Sequence, residues 1–260
     1  MGKEQQDKAS GLILNSWKTG IKIPSLDENI RPHNRLDGYA IQTRVEQLSN
    51  QPLVGWKIAA TSAAGQAHIG LDGPIAGRLL AERQIRSGES CSLSTNKMRV
   101  AEAEFAFKMA RDLPPRETPY SVDEVLEAIG AMHLSIEIPD SRFEDFATVG
   151  ADQLIADNAC AHDFYLGREC EGWRDVDLSN HGVIGQTQLQ NKQGTGANVL
   201  GDPRIALAWL VNELSQMGIT LKAGQFVMTG TSTDPIPIEP GDEIIADFGS
   251  FGRISVQLSQ

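Results

Sequence analysis

Apolar positions recur at helical spacing through the first fifty residues, then give way to short apolar runs broken by glycine and proline. Leu12, Ile13 and Trp17 predict a helix over 4–18, and Leu36, Tyr39, Ala40, Val45 and Leu48 predict a second over 36–48. Pro24 and Pro32 mark the loop between them. From Val54 onward the pattern predicts strands over 54–60, 101–108, 134–138, 183–189, 226–229, 243–248 and 253–258. The last two are read as a hairpin turning through Gly249-Ser250-Phe251-Gly252. Ser121-Val122-Asp123-Glu124 is a capping box that predicts a helix over 122–131. Asp202 as N-cap with Pro203 after it starts another helix, whose stripe Leu207, Leu210, Val211, Leu214 and Met217 ends at Gly218.

Few of these strands alternate with regular helices, so a doubly wound sheet is not indicated and the class is α+β. The expected organisation is a helical N-terminal portion over 1–52, packed on the body or on another subunit, and a β-rich catalytic domain over 53–260.

Within Arg99-Val100-Ala101-Glu102-Ala103-Glu104-Phe105-Ala106-Phe107, Glu102 and Glu104 are two residues apart on a strand and so share a face, roughly 7 Å from one another. Such a pair is either the solvated outer face of a sheet or a buried carboxylate pair that needs a cation between its members. A third acid, Glu137, sits in the apolar run His133-Leu134-Ser135-Ile136-Glu137-Ile138-Pro139 and tips the balance towards a site. Three carboxylates from two strands suit a hard divalent ion such as Mg²⁺ or Mn²⁺, with positions left open for substrate and water.

Composition narrows the partners. The chain has 260 residues, 40% hydrophobic and 22% charged, long enough for one large core. A net charge of −11 argues against nucleic acid, which demands a basic surface. No apolar run is long enough to span a bilayer and the N-terminus lacks a signal-peptide core, so no membrane association and a cytoplasmic location are expected. Cys91, Cys160 and Cys170 are odd in number and lack CxxC spacing, which argues against a disulfide framework or a structural zinc. The five histidines form no HExxH or HxH pattern.

Lys57, mid-strand in Val54-Gly55-Trp56-Lys57-Ile58-Ala59-Ala60, either snorkels to solvent or is buried with a lowered pKa, a state that makes a usable acid/base. Asp157 and Asn158 in Ala156-Asp157-Asn158-Ala159-Cys160 read as turn formers or as groups near a ligand, and Cys160, with no base beside it, reads as an inert small residue. Gln193-Gly194-Thr195-Gly196-Ala197 is a weak phosphate-loop pattern and reads as a turn between strands. Thr229-Gly230-Thr231 ends a strand and either turns or offers hydroxyls and amides to a carboxylate.

Taken together, Gly55-Trp56-Lys57-Ile58, Glu102-x-Glu104, Ile136-Glu137-Ile138-Pro139-Asp140-Ser141-Arg142, Ala156-Asp157-Asn158-Ala159, Val199-Leu200-Gly201-Asp202-Pro203 and Leu221-Lys222-Ala223-Gly224-Gln225 resemble the 2-keto-4-pentenoate hydratase and 4-oxalocrotonate decarboxylase family of the fumarylacetoacetate hydrolase superfamily. The resemblance runs in order from about Tyr39 to the C-terminus. It implies a mixed β-sandwich and roll with a smaller helical N-terminal part. It also implies Mg²⁺ or Mn²⁺ held by Glu102, Glu104 and Glu137, Lys57 as a proton-transfer residue, and a homo-oligomer. Thr61, Gln66, Asn158, Cys160 and Thr231 are the residues expected to contact substrate. Two positions depart from the family pattern: Pro74-Ile75-Ala76-Gly77 lacks the acid that follows the proline, and Cys160 stands where a serine is common.

The expected activity is a lyase that hydrates a 2-hydroxy-alka-2,4-dienoate to a 4-hydroxy-2-oxo acid during meta-cleavage of aromatic compounds. Decarboxylation of a 2-oxo-enedioate is the alternative reaction. A catalytically impaired, 2-oxo acid-binding oligomeric protein is the alternative of another class.

Overall fold

The computed structural model describes residues 1–260. Helices α1 (Lys3–Thr19) and α2 (Arg35–Ser49) form where the periodicity places them. Asn34 caps α2 by accepting from the Asp37 amide at 2.9 Å, which satisfies a first-turn donor that has no partner within the helix. Ile13 and Trp17 of α1 and Ile41 and Val45 of α2 share a small core with Leu80, Phe143 and Ala156, so the helical pair is seated on the body.

The strands are β1 (Leu53–Ala59), β2 (Ile75–Leu80), β3 (Gln84–Ile85), β4 (Ser90–Ser92), β5 (Val100–Met109), β6 (Ile129–Ile138) and β7 (Asp163–Glu169). They continue as β8 (Gly182–Gln186), β9 (Asn191–Thr195), β10 (Phe226–Thr231), β11 (Ile236–Pro237), β12 (Glu243–Asp247) and β13 (Arg253–Ser259). Short helices α3 (Ala63–His68), α4 (Val122–Leu126) and α5 (Ala151–Ala156) and the longer α6 (Pro203–Gln216) complete the chain. A mixed eight-stranded sheet runs β2-β1-β10-β5-β6-β7-β3 with β11 paired to β5, and a five-stranded sheet runs β4-β13-β12-β8-β9.

The two sheets face one another across the main core. Trp56, Ile58, Phe105, Phe107, Leu134 and Ile136 from the larger sheet are buried with Ile244, Phe248 and Val256 from the smaller. Phe105 meets Phe248 edge to face, with ring centroids 5.1 Å apart. Because side chains alternate along a strand, this packing fixes the opposite face for Lys57, Glu102, Glu104 and Glu137.

The hairpin expected through residues 249–252 forms, with Asp247 opposite Arg253. Three expectations need correction. The capping box closes as read, Glu124 N donating to Ser121 Oγ at 3.3 Å, but α4 stops at Leu126. Ile129 and Ala131 instead pair with Met109 and Lys108, so β6 starts five residues earlier than the expected strand at Leu134 because β-ladder pairing overrides helical continuation. The strand expected over 183–189 ends at Gln186, where Thr187 N donates to Gln190 O and turns the chain. Gln193-Gly194-Thr195 is therefore part of β9 rather than a turn, and the bend falls at Gly196–Asn198. No helix is long and apolar enough to cross a membrane.

Candidate active site

Two adjacent strands of the larger sheet bring the acids together. Glu102 on β5 stands directly opposite Glu137 on β6, and Glu104 stands opposite Ser135 on β6 and Thr231 on β10. One carboxylate oxygen from each of Glu102, Glu104 and Glu137 lies within 4.8 Å of the other two. Glu104 and Glu137 are completely buried, and Glu102 is half-buried at the rim. The solvated-face reading therefore fails for the pair.

Only part of this charge is compensated within the chain. Glu104 Oε2 accepts from the Gly230 amide at 2.9 Å, while Glu104 Oε1 and both oxygens of Glu137 are buried without a hydrogen-bond partner. Buried carboxylate oxygens without donors carry a cost of several kcal/mol unless they are protonated or meet a cation. Burial accordingly raises the pKa of Glu102, and raises that of Glu104 well above the ordinary range with further help from the Glu137 and Glu102 charges. Burial pushes Glu137 up to about 7 against the pull of Lys57. Three convergent oxygens on hard ligands with unfilled acceptor capacity fit a divalent cation.

Lys57, only 3% exposed, projects from β1 over the same face. Its Nζ lies 3.2 Å from Glu137 Oε1. That approach is an ion pair without hydrogen-bond alignment, which is why the carboxylate oxygen counts as undonated. Lys57 does donate to the Ala159 carbonyl at 3.0 Å. The expectation of a lowered pKa is incorrect: burial lowers it, but the charges of Glu137, Glu102 and Glu104 outweigh burial and hold the ammonium above its ordinary value.

Two glycines make room for this geometry. Gly77, opposite Lys57 on β2, lies where a Cβ would strike the Asn158 carbonyl oxygen and come within 3.1 Å of Lys57 Cγ and Cδ. Gly230, at φ 108°, adopts backbone that a side chain would strain, and a Cβ there would collide with Thr61.

Residues 157–161 form the wall behind Lys57. Asn158, Ala159 and Cys160 all take left-handed backbone, with φ of 57°, 51° and 59°, although none is glycine. Each such residue costs about 1–2 kcal/mol, so the surrounding contacts must hold the turn. The fully buried Asp157 receives the guanidinium of Arg142, which also donates to the Asp157 and Ala161 carbonyls, and Ser141 Oγ donates to Asp157 at 2.6 Å. Asp157 is thus a structural anion in a satisfied network.

The remaining sequence-predicted residues fall into two groups. Thr61 and Thr231 flank Gly230 beside Glu104, and Thr231 Oγ1 donates to Thr233 O at 2.9 Å. Gln66 donates its amide to Ala60 O at 2.9 Å, and both polar atoms of Asn158 bind the backbone of Arg78. Cys160 is half-buried with its thiol pushed up to about 12 by burial, so it stays protonated, in keeping with its reading as inert. Ile75 is 1% exposed and packs in the main core opposite Ala59, so the position where the family acid is missing is apolar. Arg142 and Gly77 were missed as site-supporting residues; an arginine inside a short polar run after a strand was the available signal for the first.

No family model matches the chain. Comparison with curated proteins finds 30% identity over 253 residues with 2-keto-4-pentenoate hydratase 1 of Dechloromonas aromatica, covering 96% of this chain and 95% of the relative. It also finds 31% identity over 227 residues with 4-oxalocrotonate decarboxylase of Pseudomonas putida, covering 85% and 84%. Among solved structures, 4-oxalocrotonate decarboxylase from Pseudomonas putida G7, complexed with magnesium and adipate, superimposes with a TM-score of 0.90 at 28% identity over 99% of this chain and 98% of that one. A fumarylacetoacetate hydrolase family protein from Yersinia pestis CO92 shares the fold alone, with a TM-score of 0.60 at 15% identity over 80% of this chain and 94% of that one.

Proposed function

Because the chain belongs to the 2-keto-4-pentenoate hydratase and 4-oxalocrotonate decarboxylase family, we propose that it is a metal-dependent lyase that hydrates a 2-hydroxy-alka-2,4-dienoate to a 4-hydroxy-2-oxo acid in the breakdown of aromatic compounds. The observation that carries this reading is the convergence of Glu102, Glu104 and Glu137, with undonated oxygens, beside the buried ammonium of Lys57.

Glu102, Glu104 and Glu137 would hold Mg²⁺ or Mn²⁺. When bound, the ion supplies Lewis-acid stabilisation of negative charge on the substrate's 2-oxygen. Lys57 Nζ holds the proton that is delivered to C5 of the dienoate, and the proton of the 2-hydroxyl passes to the amine in its place, which gives the 2-oxo-3-enoate with the ammonium restored. Water oxygen then bonds to C4 as Lys57 gives a proton to C3 and regains one from the added water, leaving the 4-hydroxy-2-oxo acid with atoms and charge balanced. The Ala159 carbonyl fixes one N–H of the ammonium, so the remaining protons are directed at the site. The hydroxyls of Thr61 and Thr231 border the substrate. A homo-oligomer in the cytoplasm is the expected working form.

Decarboxylation of a 2-oxo-enedioate is a second reading, favoured by the TM-score of 0.90 to a 4-oxalocrotonate decarboxylase. Incubation of both substrate types in ¹⁸O-labelled water, with products analysed by NMR and mass spectrometry, separates the two. Label at C4 of a 4-hydroxy-2-oxo acid supports hydration; carbon dioxide release with no labelled C4 hydroxyl in the organic product replaces it with decarboxylation.

A further inference from the structure

The turn of residues 158–160 is unusual in holding three consecutive non-glycine residues in left-handed backbone beside the site. One side chain, Asn158, fastens it to β2. Asn158 Oδ1 accepts from Arg78 N at 2.6 Å, and Asn158 Nδ2 donates to Arg78 O at 2.9 Å. β2 is the edge strand of the larger sheet, so the carboxamide occupies the hydrogen-bonding positions that a neighbouring strand would fill. The next residue, Ala159, presents its carbonyl to Lys57 Nζ at 3.0 Å. Gly77, immediately before Arg78, allows the close approach by lacking a Cβ that would meet both the Asn158 carbonyl and the Lys57 stem. Asn158 is 2% exposed, and each polar atom of its carboxamide is engaged with the Arg78 backbone.

We propose that Asn158 is a positioning residue that acts through Lys57: its clip on Arg78 holds the left-handed turn so that the Ala159 carbonyl aims the Lys57 ammonium at the reacting carbon. The inference rests on the reading of Lys57 as the proton-transfer residue. It assigns Asn158 to proton transfer and leaves metal binding to the three glutamates, whose strands the clip does not touch.

The test compares Asn158→Ala, Asn158→Gly and the isosteric Asn158→Asp, each with Mn²⁺ bound, by two measurements. One is hydrogen–deuterium exchange at C3 of 2-oxopentanoate, followed by NMR, and the other is Mn²⁺ affinity by calorimetry. The expected result is an exchange rate and kcat reduced about 10- to 100-fold in both the Ala and Gly variants, with KM and Mn²⁺ affinity within about twofold of the parent, because misplacing a reacting group by a fraction of an ångström falls on the chemical step. Glycine adopts left-handed backbone without strain, so Asn158→Gly with parental exchange would assign the residue to backbone conformation and overturn the proposal. Loss of Mn²⁺ affinity in step with kcat would also overturn it. Asn158→Asp, which keeps the acceptor for Arg78 N and loses the donor to Arg78 O, gives the same comparison if the other variants do not fold. Full exchange in Lys57→Met would overturn the reading of Lys57 itself, a failure recognisable without any Asn158 variant.

Discussion

Glu102 and Glu137 face one another directly across the β5–β6 ladder, an arrangement in which two like charges repel unless a proton or a cation intervenes. Glu104 joins them from the same face of β5, and Lys57 is the one cationic side chain whose charge acts on all three. A single ammonium leaves the set under-neutralised. Replacing one of the two completely buried acids is therefore informative. Glu104→Gln keeps the shape and removes the charge; Mn²⁺ affinity measured by calorimetry is expected to fall at least about 100-fold, and activity with it.

The same crowding predicts how metal-free stability varies with pH. Burial raises the folded-state pKa of Glu104, and raises that of Glu137 from 4.5 to about 7, so the folded protein binds more protons than the unfolded chain between these limits. Stability from these groups is whole below about 4.5 and is lost as pH rises through about 7. A divalent cation replaces the protons above that window. Thermal unfolding of chelated protein should thus show a falling melting temperature from pH 5 to pH 8, and the increment on adding Mn²⁺ should be larger at pH 8.

Lys57→Met retains an unbranched, apolar stem in the buried slot and removes the proton. Activity is expected to drop roughly 100- to 10,000-fold, the range associated with loss of a positioned acid or base. Mn²⁺ affinity should hold or tighten, because a positive charge 3.2 Å from Glu137 has been removed. Steady-state kinetics beside calorimetry separates this outcome from general damage to the site.

Gly77→Ala inserts a methyl group between the Asn158 carbonyl and the Lys57 stem. Overpacking of this kind costs about 1–3 kcal/mol, and here the displaced group is Lys57 itself. A lower melting temperature accompanied by reduced kcat is expected, measured by calorimetric scanning and initial rates.

Much of this site is legible along the chain because its acids lie on regular strands. Glu102 and Glu104 announce themselves by period-two spacing between alanines and phenylalanines, and Glu137 by its apolar neighbours. β2 is hidden because Ile75–Leu80 is buried throughout and shows no alternation, since α2 and the 158–160 turn cover the face that an edge strand would otherwise expose. The left-handed turn is hidden for a different reason. None of Asn158, Ala159 and Cys160 is a glycine, and its conformation is imposed by Arg78 and Arg142, which are remote in sequence. The state of Lys57 follows from the same kind of distant contact: burial alone would lower its pKa, and the glutamates on other strands reverse the sign.

The central claim is that a divalent cation held by the three glutamates is required for dienoate chemistry. The most direct measurement follows the ultraviolet band of a 2-hydroxy-2,4-dienoate with purified protein before chelation, after chelation, and after restoring Mg²⁺ or Mn²⁺. The account predicts bleaching that stops on chelation and returns with the metal in the parent protein but not in Glu104→Gln; bleaching unchanged by chelation would contradict it.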